Sequence, residues 1–254
     1  MGTRLRGPGE FCWINILTPD VEGAKAFFNA LLGWTFGAIP GSGWFIQVGP
    51  SRVGGLFDLD HPRTPPGTPA GIGVMVKVDD ADVAAARAKE LGGSANPSFS
   101  IGPPGRMAEL FAPDGAEVDV WQPGAMPGTD VDPHHPGAPC WFEAVTRDVD
   151  RSAAFYRDLF GWTSQVASAG SPGYVEFRRD GDLFGGLLPT PDDLDVPPHW
   201  GVYFTAANVD ATAQCAADLG GVVCLAPREI PGVGRFAALR SSQGVAFHVV
   251  QYGV

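Results

Sequence analysis

The sequence predicts an α+β protein of two tandem domains, each a mostly antiparallel sheet with helices on its outer face. Three observations carry this prediction. One segment pattern occurs twice along the chain. Each copy reads strand–helix–strands two times over. Neither leading strand-to-helix turn holds a phosphate loop. The repeat is the most specific of these. Cys12-Trp13-Ile14-Asn15 returns 128 residues later as Cys140-Trp141-Phe142-Glu143. At the same displacement Ala26-Phe27-Phe28 becomes Ala154-Phe155-Tyr156, and Leu32-Gly33-Trp34-Thr35 becomes Phe160-Gly161-Trp162-Thr163. Leu91-Gly92-Gly93 is answered by Leu219-Gly220-Gly221, and a short insertion shifts Gly54-Gly55-Leu56 to Gly185-Gly186-Leu187. Tryptophans and glycines in register over such a distance mark a duplication.

Each element has its own warrant. Phe11–Leu17 is an apolar strand. Asp20 caps a helix in which Val21, Ala24, Phe27, Phe28, Leu31 and Leu32 recur at helical spacing, and Gly33 ends it. In the second copy Trp141–Thr146, Asp148 and the series Val149, Ser152, Phe155, Tyr156, Leu159, Phe160 repeat this order before Gly161. Hairpin-like stretches follow: Trp44–Val48 with Gly54–Asp58, and Tyr174–Arg178 with Leu183–Leu188. Asp180-Gly181 is a strong turn pair in the latter. Gly73–Val78 and Val202–Ala206 are strands leading to alanine-rich helices at Ala81–Leu91 and Val209–Leu219. Terminal strand pairs close each copy: Met107–Phe111 with Glu117–Trp121, and Phe236–Leu239 with Val245–Val250. The predicted domains are residues 9–122 and 139–254, joined by a Pro/Gly/Asp-rich linker at 123–138. His134 and His135 in that linker point opposite ways on an extended chain and read as exposed.

Composition narrows the function classes. The 254 residues are 44% hydrophobic and 18% charged, which excludes disorder and coiled coil. Lys+Arg number 17 against 28 Asp+Glu, a formal charge of −11, so neither nucleic acid nor an anionic membrane is a fitting partner. The start lacks an apolar signal core, and no long uncharged apolar run is present, so a cytoplasmic location is expected. Cys12, Cys140, Cys215 and Cys224 are too widely spaced for a disulfide scaffold. The turns Thr18-Pro19-Asp20 and Thr146-Arg147-Asp148 exclude a doubly wound nucleotide fold. Four helices are too few for a (β/α)₈ barrel.

The run from Cys12 to Phe36, its counterpart Cys140–Trp162, the segment Pro231–Leu239 and the Asp-Gly ending near Val120-Trp121-Gln122 resemble the glyoxalase/bleomycin-resistance/extradiol-dioxygenase superfamily. It is also called the vicinal oxygen chelate superfamily. Within it, the tandem-domain actinobacterial proteins labelled glyoxalase-like or hydroxylase are the most similar kind. The likeness covers residues 10–122 and 139–252. It implies paired βαβββ modules that curl into a cup around a ligand or a divalent metal. It also implies ligand positions, which fall on Trp13, Gly73 and Asp119 in the first copy and on Trp141, Gly201 and His248 in the second. Indole rings and glycines cannot ligate a divalent ion, so the usual metal site is absent.

Residues two apart on a strand share a face. Glu143 therefore shares the face of Trp141, and His199 that of Gly201. Glu143, His199 and His248 form a candidate catalytic set in the second domain, able to hold Fe, Mn, Ni or Zn or to act as acid and base. Asn15, Gly71 and Asp119 stand at the matching places in the first copy and cannot do the same. Trp13, Trp44, Trp121, Trp141 and Tyr174 are candidates to line apolar pockets for a flat molecule. Arg106 and Arg235, in matching loops, would either neutralise an anionic ligand or pair with surface carboxylates. Trp34 and Trp162 close helices and read as core.

Three functions follow as expectations. The first is a protein that binds a small organic molecule in its cup, with the metal site degenerate. The second is a metal-dependent lyase, isomerase or dioxygenase using Glu143, His199 and His248. The third is an assembly role with both cups closed. The duplication already supplies a pseudo-dimer, so monomer and homodimer both remain open.

Overall fold

Strand pairing in the computed structural model builds one sheet from each copy of the repeat, and the model describes residues 4–62, 64–167, 171–190 and 195–253. The first copy comprises β1 (Phe11–Thr18), α1 (Val21–Leu32), β2 (Thr35–Ile39), β3 (Gly43–Val48) and β4 (Ser51–Asp58). It continues with β5 (Gly71–Lys77), α2 (Ala81–Glu90), β6 (Ser94–Ala95), β7 (Phe99–Ser100), β8 (Gly105–Phe111) and β9 (Glu117–Pro123). The second comprises β10 (Pro139–Thr146), α3 (Val149–Phe160), β11 (Thr163–Val166), β12 (Val175–Arg179) and β13 (Asp182–Pro189). After these come β14 (His199–Thr205), α4 (Val209–Asp218), β15 (Val222–Ile230), β16 (Gly234–Arg240) and β17 (Ala246–Tyr252).

The sheet orders are β2-β3-β4-β1-β5-β9-β8-β6, with β7 also on β8, and β11-β12-β13-β10-β14-β17-β16-β15. Each module closes with a parallel pair: β1 with β4, β5 with β9, β10 with β13, and β14 with β17. The other ladders are antiparallel. The leading strands of the two modules pair antiparallel at the centre, β1 with β5 and β10 with β14. This places the strands that begin with Cys-Trp in the middle of each sheet.

Local chemistry explains the helices. The Asp20 carboxylate accepts from the Gly23 amide at 2.9 Å, and Asp148 does the same from Arg151 at 3.0 Å. Gly33 and Gly161 end α1 and α3 in the left-handed region, at φ 70° and 71°. Asp180 and Gly181 both take positive φ, as the short hairpin between β12 and β13 requires. The edge strands β2, β6, β7 and β11 were not anticipated, whereas the apolar stretch around Cys224 after Gly220-Gly221 reads as a strand and is part of β15. β11 is exposed throughout, and β2, β6 and β7 have no buried residue, so their pattern carries no burial signal.

The helices lie on the face of each sheet away from its cup, and those faces meet. α1 packs against α4, and α2 against α3. One apolar cluster therefore runs through both copies, from Ile14, Phe28 and Trp34 to Phe142, Tyr156 and Trp162. Phe11 stacks on Phe142 across the boundary at 3.9 Å between ring centroids. Trp34 Nε1 donates to the Gly137 carbonyl and Trp162 Nε1 to the Gly9 carbonyl, a symmetrical pair of ties to the segments preceding β10 and β1.

Candidate functional site

A bulge decides which side chains enter the cups. In β1 the register slips between Phe11 and Trp13, and in β10 between Pro139 and Trp141. Phe11 and Ile14 therefore both face the core, while Trp13 and Trp141 turn to the opposite face with Asn15 and Glu143. On that face β5 places Gly73 and Met75, and β14 places Gly201 and Tyr203. β9 and β17 bring Asp119 and His248.

The first cup is filled by its own residues. Cys12, Trp13, Met75 and Trp121 form a buried cluster packed by Phe45, Met107 and Met126. Trp121 Nε1 donates to the Met126 carbonyl at 2.9 Å, so the chain beyond β9 folds back over the cup. A side cavity of about 450 Å³ survives, lined by Trp13, Phe45, Arg52 and Met126. Asp119 is buried beneath this plug and its Oδ1 has no hydrogen-bond partner. Burial first, then the charges of Glu117 and Glu109, push its carboxyl well above the usual range. The native state thus holds a proton that the unfolded chain releases, and Asp119 destabilises the fold increasingly as pH rises above about 4. Asp119→Leu should therefore stabilise the protein. The gain should be about 1–3 kcal/mol at pH 4, from removing an unsatisfied polar group, and larger at pH 8. Urea midpoints at the two pH values check this, and a loss of stability would show that Asp119 has an unseen partner.

The second cup is open. A cavity of about 1400 Å³ reaches into it and between the copies, lined by Trp141, Glu143, Tyr174, Tyr203, Phe236 and His248 on the second copy, and by Arg4, Arg6, Phe11, Trp13, Thr129, Val131, Pro133 and His134 on the first. Glu143 sits between two glycines, Gly186 on β13 and Gly201 on β14. Neighbouring side chains use the space those glycines leave. A Cβ on Gly186 would lie 2.5 Å from the Tyr174 hydroxyl, and one on Gly201 would lie 3.3 Å from the His248 ring. The Tyr203 hydroxyl donates to Glu143 Oε1 at 2.9 Å, and the Tyr174 hydroxyl lies near enough to the carboxyl to influence its titration. Trp141 Nε1 in turn donates to Tyr174 at 3.0 Å. Burial raises the Glu143 pKa against the opposing pull of those two phenols. His248 stacks on Tyr203 at 4.3 Å, its Nδ1 has no partner, and burial lowers its pKa to about 4. At neutral pH it is uncharged.

The other predicted site residues lie elsewhere. His199 is exposed at the start of β14, with Nδ1 2.8 Å from the Pro197 carbonyl, and acts on His248 only as a nearby charge. Trp44 is half-buried against the core, with the Lys25 ammonium 3.8 Å above its ring, outside either cavity. Trp121 plugs the first cup. Arg106 bonds Asp82 and Ser98 at the surface, and Arg235 forms a two-pronged pair with Asp210 at 2.6 and 2.8 Å. Neither arginine faces a ligand; both neutralise acidic residues at the first turn of a helix. Cys12 and Cys140 are pushed by burial to about 12 and about 11, so neither thiol is a nucleophile.

Among the described residues no three His, Cys, Asp or Glu side chains converge on one point. With rings at Trp13 and Trp141 and bare backbone at Gly73 and Gly201, the donor set does not fit a divalent ion held by protein ligands. Sequence reading named Gly201 but missed Tyr203, the place of Gly186 beside Glu143, His134 in the cavity lining and the arginines of the first wall. Tyr203 was within reach of the alternation rule, being two residues beyond Gly201. The wall residues carried no local signal because they approach from the other copy.

Residues 140–171 match the family described as bleomycin resistance protein-like N-terminal. The chain is 34% identical over 247 residues to the Mycobacterium tuberculosis protein named "Putative glyoxylase CFP32", covering 94% of this chain and 93% of that one. It is 38% identical over 133 residues to anthracycline biosynthesis protein DnrV of Streptomyces peucetius, covering 47% of this chain and 48% of DnrV. Its fold is similar to that of an Mn(II)-bound glyoxalase from Novosphingobium aromaticivorans, with TM-score 0.64 and 16% identity over 96% of this chain and 82% of that one. The 2,3-dioxygenase LapB from Pseudomonas sp. KL28 superposes with TM-score 0.66 and 13% identity over 99% and 94%. With a full-length relative above 30% identity and this fold, the chain belongs to the glyoxalase/bleomycin-resistance/extradiol-dioxygenase, or vicinal oxygen chelate, superfamily.

Proposed function

We propose that the protein binds one small, flat organic molecule in its second cup, while the first cup serves as a closed scaffold. The observation that carries this reading is the asymmetry between two copies of one design. Trp13, Met75 and Trp121 pack together under Met126 in one copy, while the equivalent cluster of Tyr203, Phe236 and Val250 in the other borders a cavity of about 1400 Å³. The open cup has aromatic walls and a few convergent polar groups, the usual make-up of a small-molecule site. An assembly role with both cups closed is not supported, since the second is open. The donor set argues against a metal-dependent reaction through Glu143, His199 and His248. A metal-free acid–base role keeps one point in its favour: a carboxyl with a raised pKa lies near an uncharged imidazole.

The test is titration with the neutral fluorescent dye N-phenyl-1-naphthylamine. The expected result is saturable uptake of one dye per chain. A Leu225→Trp variant, whose larger ring enters the cavity from β15, should bind at least tenfold more weakly at unchanged thermal stability. Equal binding by the variant, or no saturable binding by the native protein, would refute the reading.

A further inference from the structure

The wall between the two cavities carries a cation that no carboxylate bonds among the described residues. Residues 4–6 run beside residues 129–131, joined where the Arg6 amide donates to the Thr129 carbonyl at 3.1 Å. Both stretches alternate: Arg4, Arg6, Thr129 and Val131 line the large cavity, while Leu5 and Asp130 line the small one. Arg6 is anchored at its other end too. Its carbonyl accepts from the buried Lys77 ammonium at 2.8 Å, and its Nη2 donates to the Val131 carbonyl at 2.8 Å. A guanidinium offers several N–H donors, and Val131 is the only acceptor bonded to this one among the described residues. None of its nitrogens is buried without a partner, so the remaining donors stay open to the cavity.

The acidic groups of the lining are engaged elsewhere. Glu10 accepts from both terminal nitrogens of Arg4 and from the Gly7 amide. Glu176 pairs with Arg178 at 3.3 Å and Glu229 with Arg235 at 3.6 Å, and Asp182 lies 3.9 Å from Arg4. Burial, aided by Arg4, outweighs the more distant pull of Glu10, Asp132 and Asp130, so the Arg6 charge is under-compensated. Glu143 takes its influences from Tyr174 and Tyr203, which sets the floor carboxyl apart from Arg6. Arg228, the other lining arginine without an ion pair, is exposed and lies over the Phe236 ring at 4.9 Å, with no hydrogen bond to fix it.

Resting on the small-molecule reading above, we propose that the cavity takes aromatic acids, with the ring system along its aromatic lining and the carboxylate held by the Arg6 guanidinium. The planar fork of N–H groups matches the two oxygens of a carboxylate. Because the backbone and one nitrogen of Arg6 are already fixed, little ordering is left for the ligand to impose. An uncharged molecule of the same shape leaves the cation uncompensated and binds more weakly. The formal charge of −11 repels anions from the protein as a whole, so a preference for the acid has to come from this local seat.

The experiment uses the full chain and displacement of N-phenyl-1-naphthylamine at neutral pH by 2-naphthoate and by 2-naphthamide, flat molecules of one shape of which only the first is charged. Naphthoate should bind at least tenfold tighter than the amide. Arg6→Gln should bring the two within about twofold of each other, and Arg6→Lys, which keeps the charge but loses the fork, should retain part of the preference. Arg228→Gln removes the same charge from the lining and should leave the preference in place. Equal displacement by the two compounds in the native protein, a preference that survives Arg6→Gln, or an equal loss in Arg228→Gln would overturn the carboxylate seat while leaving the binding cup intact. Failure of the dye itself to bind would sink the underlying reading and this one together.

Discussion

Trp162→Ala should lower the unfolding free energy by about 3–5 kcal/mol, the range for deleting a large aromatic side chain from a tight core. The indole is 1% exposed and meets the rings of Phe11, Tyr156, Phe160, Phe177, Phe184 and Trp200. Its Nε1 also donates to the Gly9 carbonyl at 2.6 Å, and that bond's loss leaves a buried acceptor unpaired. In a chain of this size each kcal/mol moves the melting temperature by about 2–4 °C, so a fall near 10 °C is expected. Because one core runs through both copies, it should appear as a shift of a single transition. Trp44→Ala is the control: its half-buried ring contributes mainly a cation–π contact with Lys25, and its loss should cost about 1 kcal/mol. Calorimetry of both variants decides the matter. Two separate transitions in Trp162→Ala would show that the copies unfold independently.

The second large effect is acid sensitivity through His248. Its imidazole has a pKa of about 4 in the fold, against 6.5 for an ordinary histidine. Protonation is therefore favoured in the unfolded chain. The contribution to stability is fully present above pH 6.5 and is lost as pH falls through 4. The loss amounts to about 3 kcal/mol between pH 7 and pH 4. Glu143 and Asp119 work the other way, since their raised pKa values favour the native state as pH falls. The clean measurement is thus the difference between native protein and His248→Gln at each pH. That difference should change by about 3 kcal/mol across the window in urea titrations. A constant difference would mean that the imidazole is already solvated in the folded state.

Local and periodic features were legible before any coordinates. Asp20 and Asp148 as caps, Gly33 and Gly161 as helix ends, and the doubled strand–helix–strands order all depend on residues a few positions apart. The repeat needed no geometry, and it placed Trp13 opposite Trp141 and Asp119 opposite His248. It also showed that four of the six usual ligand positions, Trp13, Gly73, Trp141 and Gly201, hold groups that cannot ligate a metal, which leaves Asp119 and His248 each alone in its copy. Pairing of edge strands was hidden because an exposed strand has no apolar alternation. The bulges at Cys12 and Cys140 were hidden too, because a ladder slip leaves no trace in composition.

What the chain by itself determined is the module, its duplication and the chemistry its ligand positions cannot perform, since propensity, capping and side-chain identity are properties of short segments. Only the tertiary structure decided which cup is open. It also turned Arg106, Arg235 and His199 to the surface and gathered Glu143, Tyr174, Tyr203 and His248 on one floor. Those outcomes depend on volumes and distances between strands far apart in sequence, and no short stretch of residues contains them.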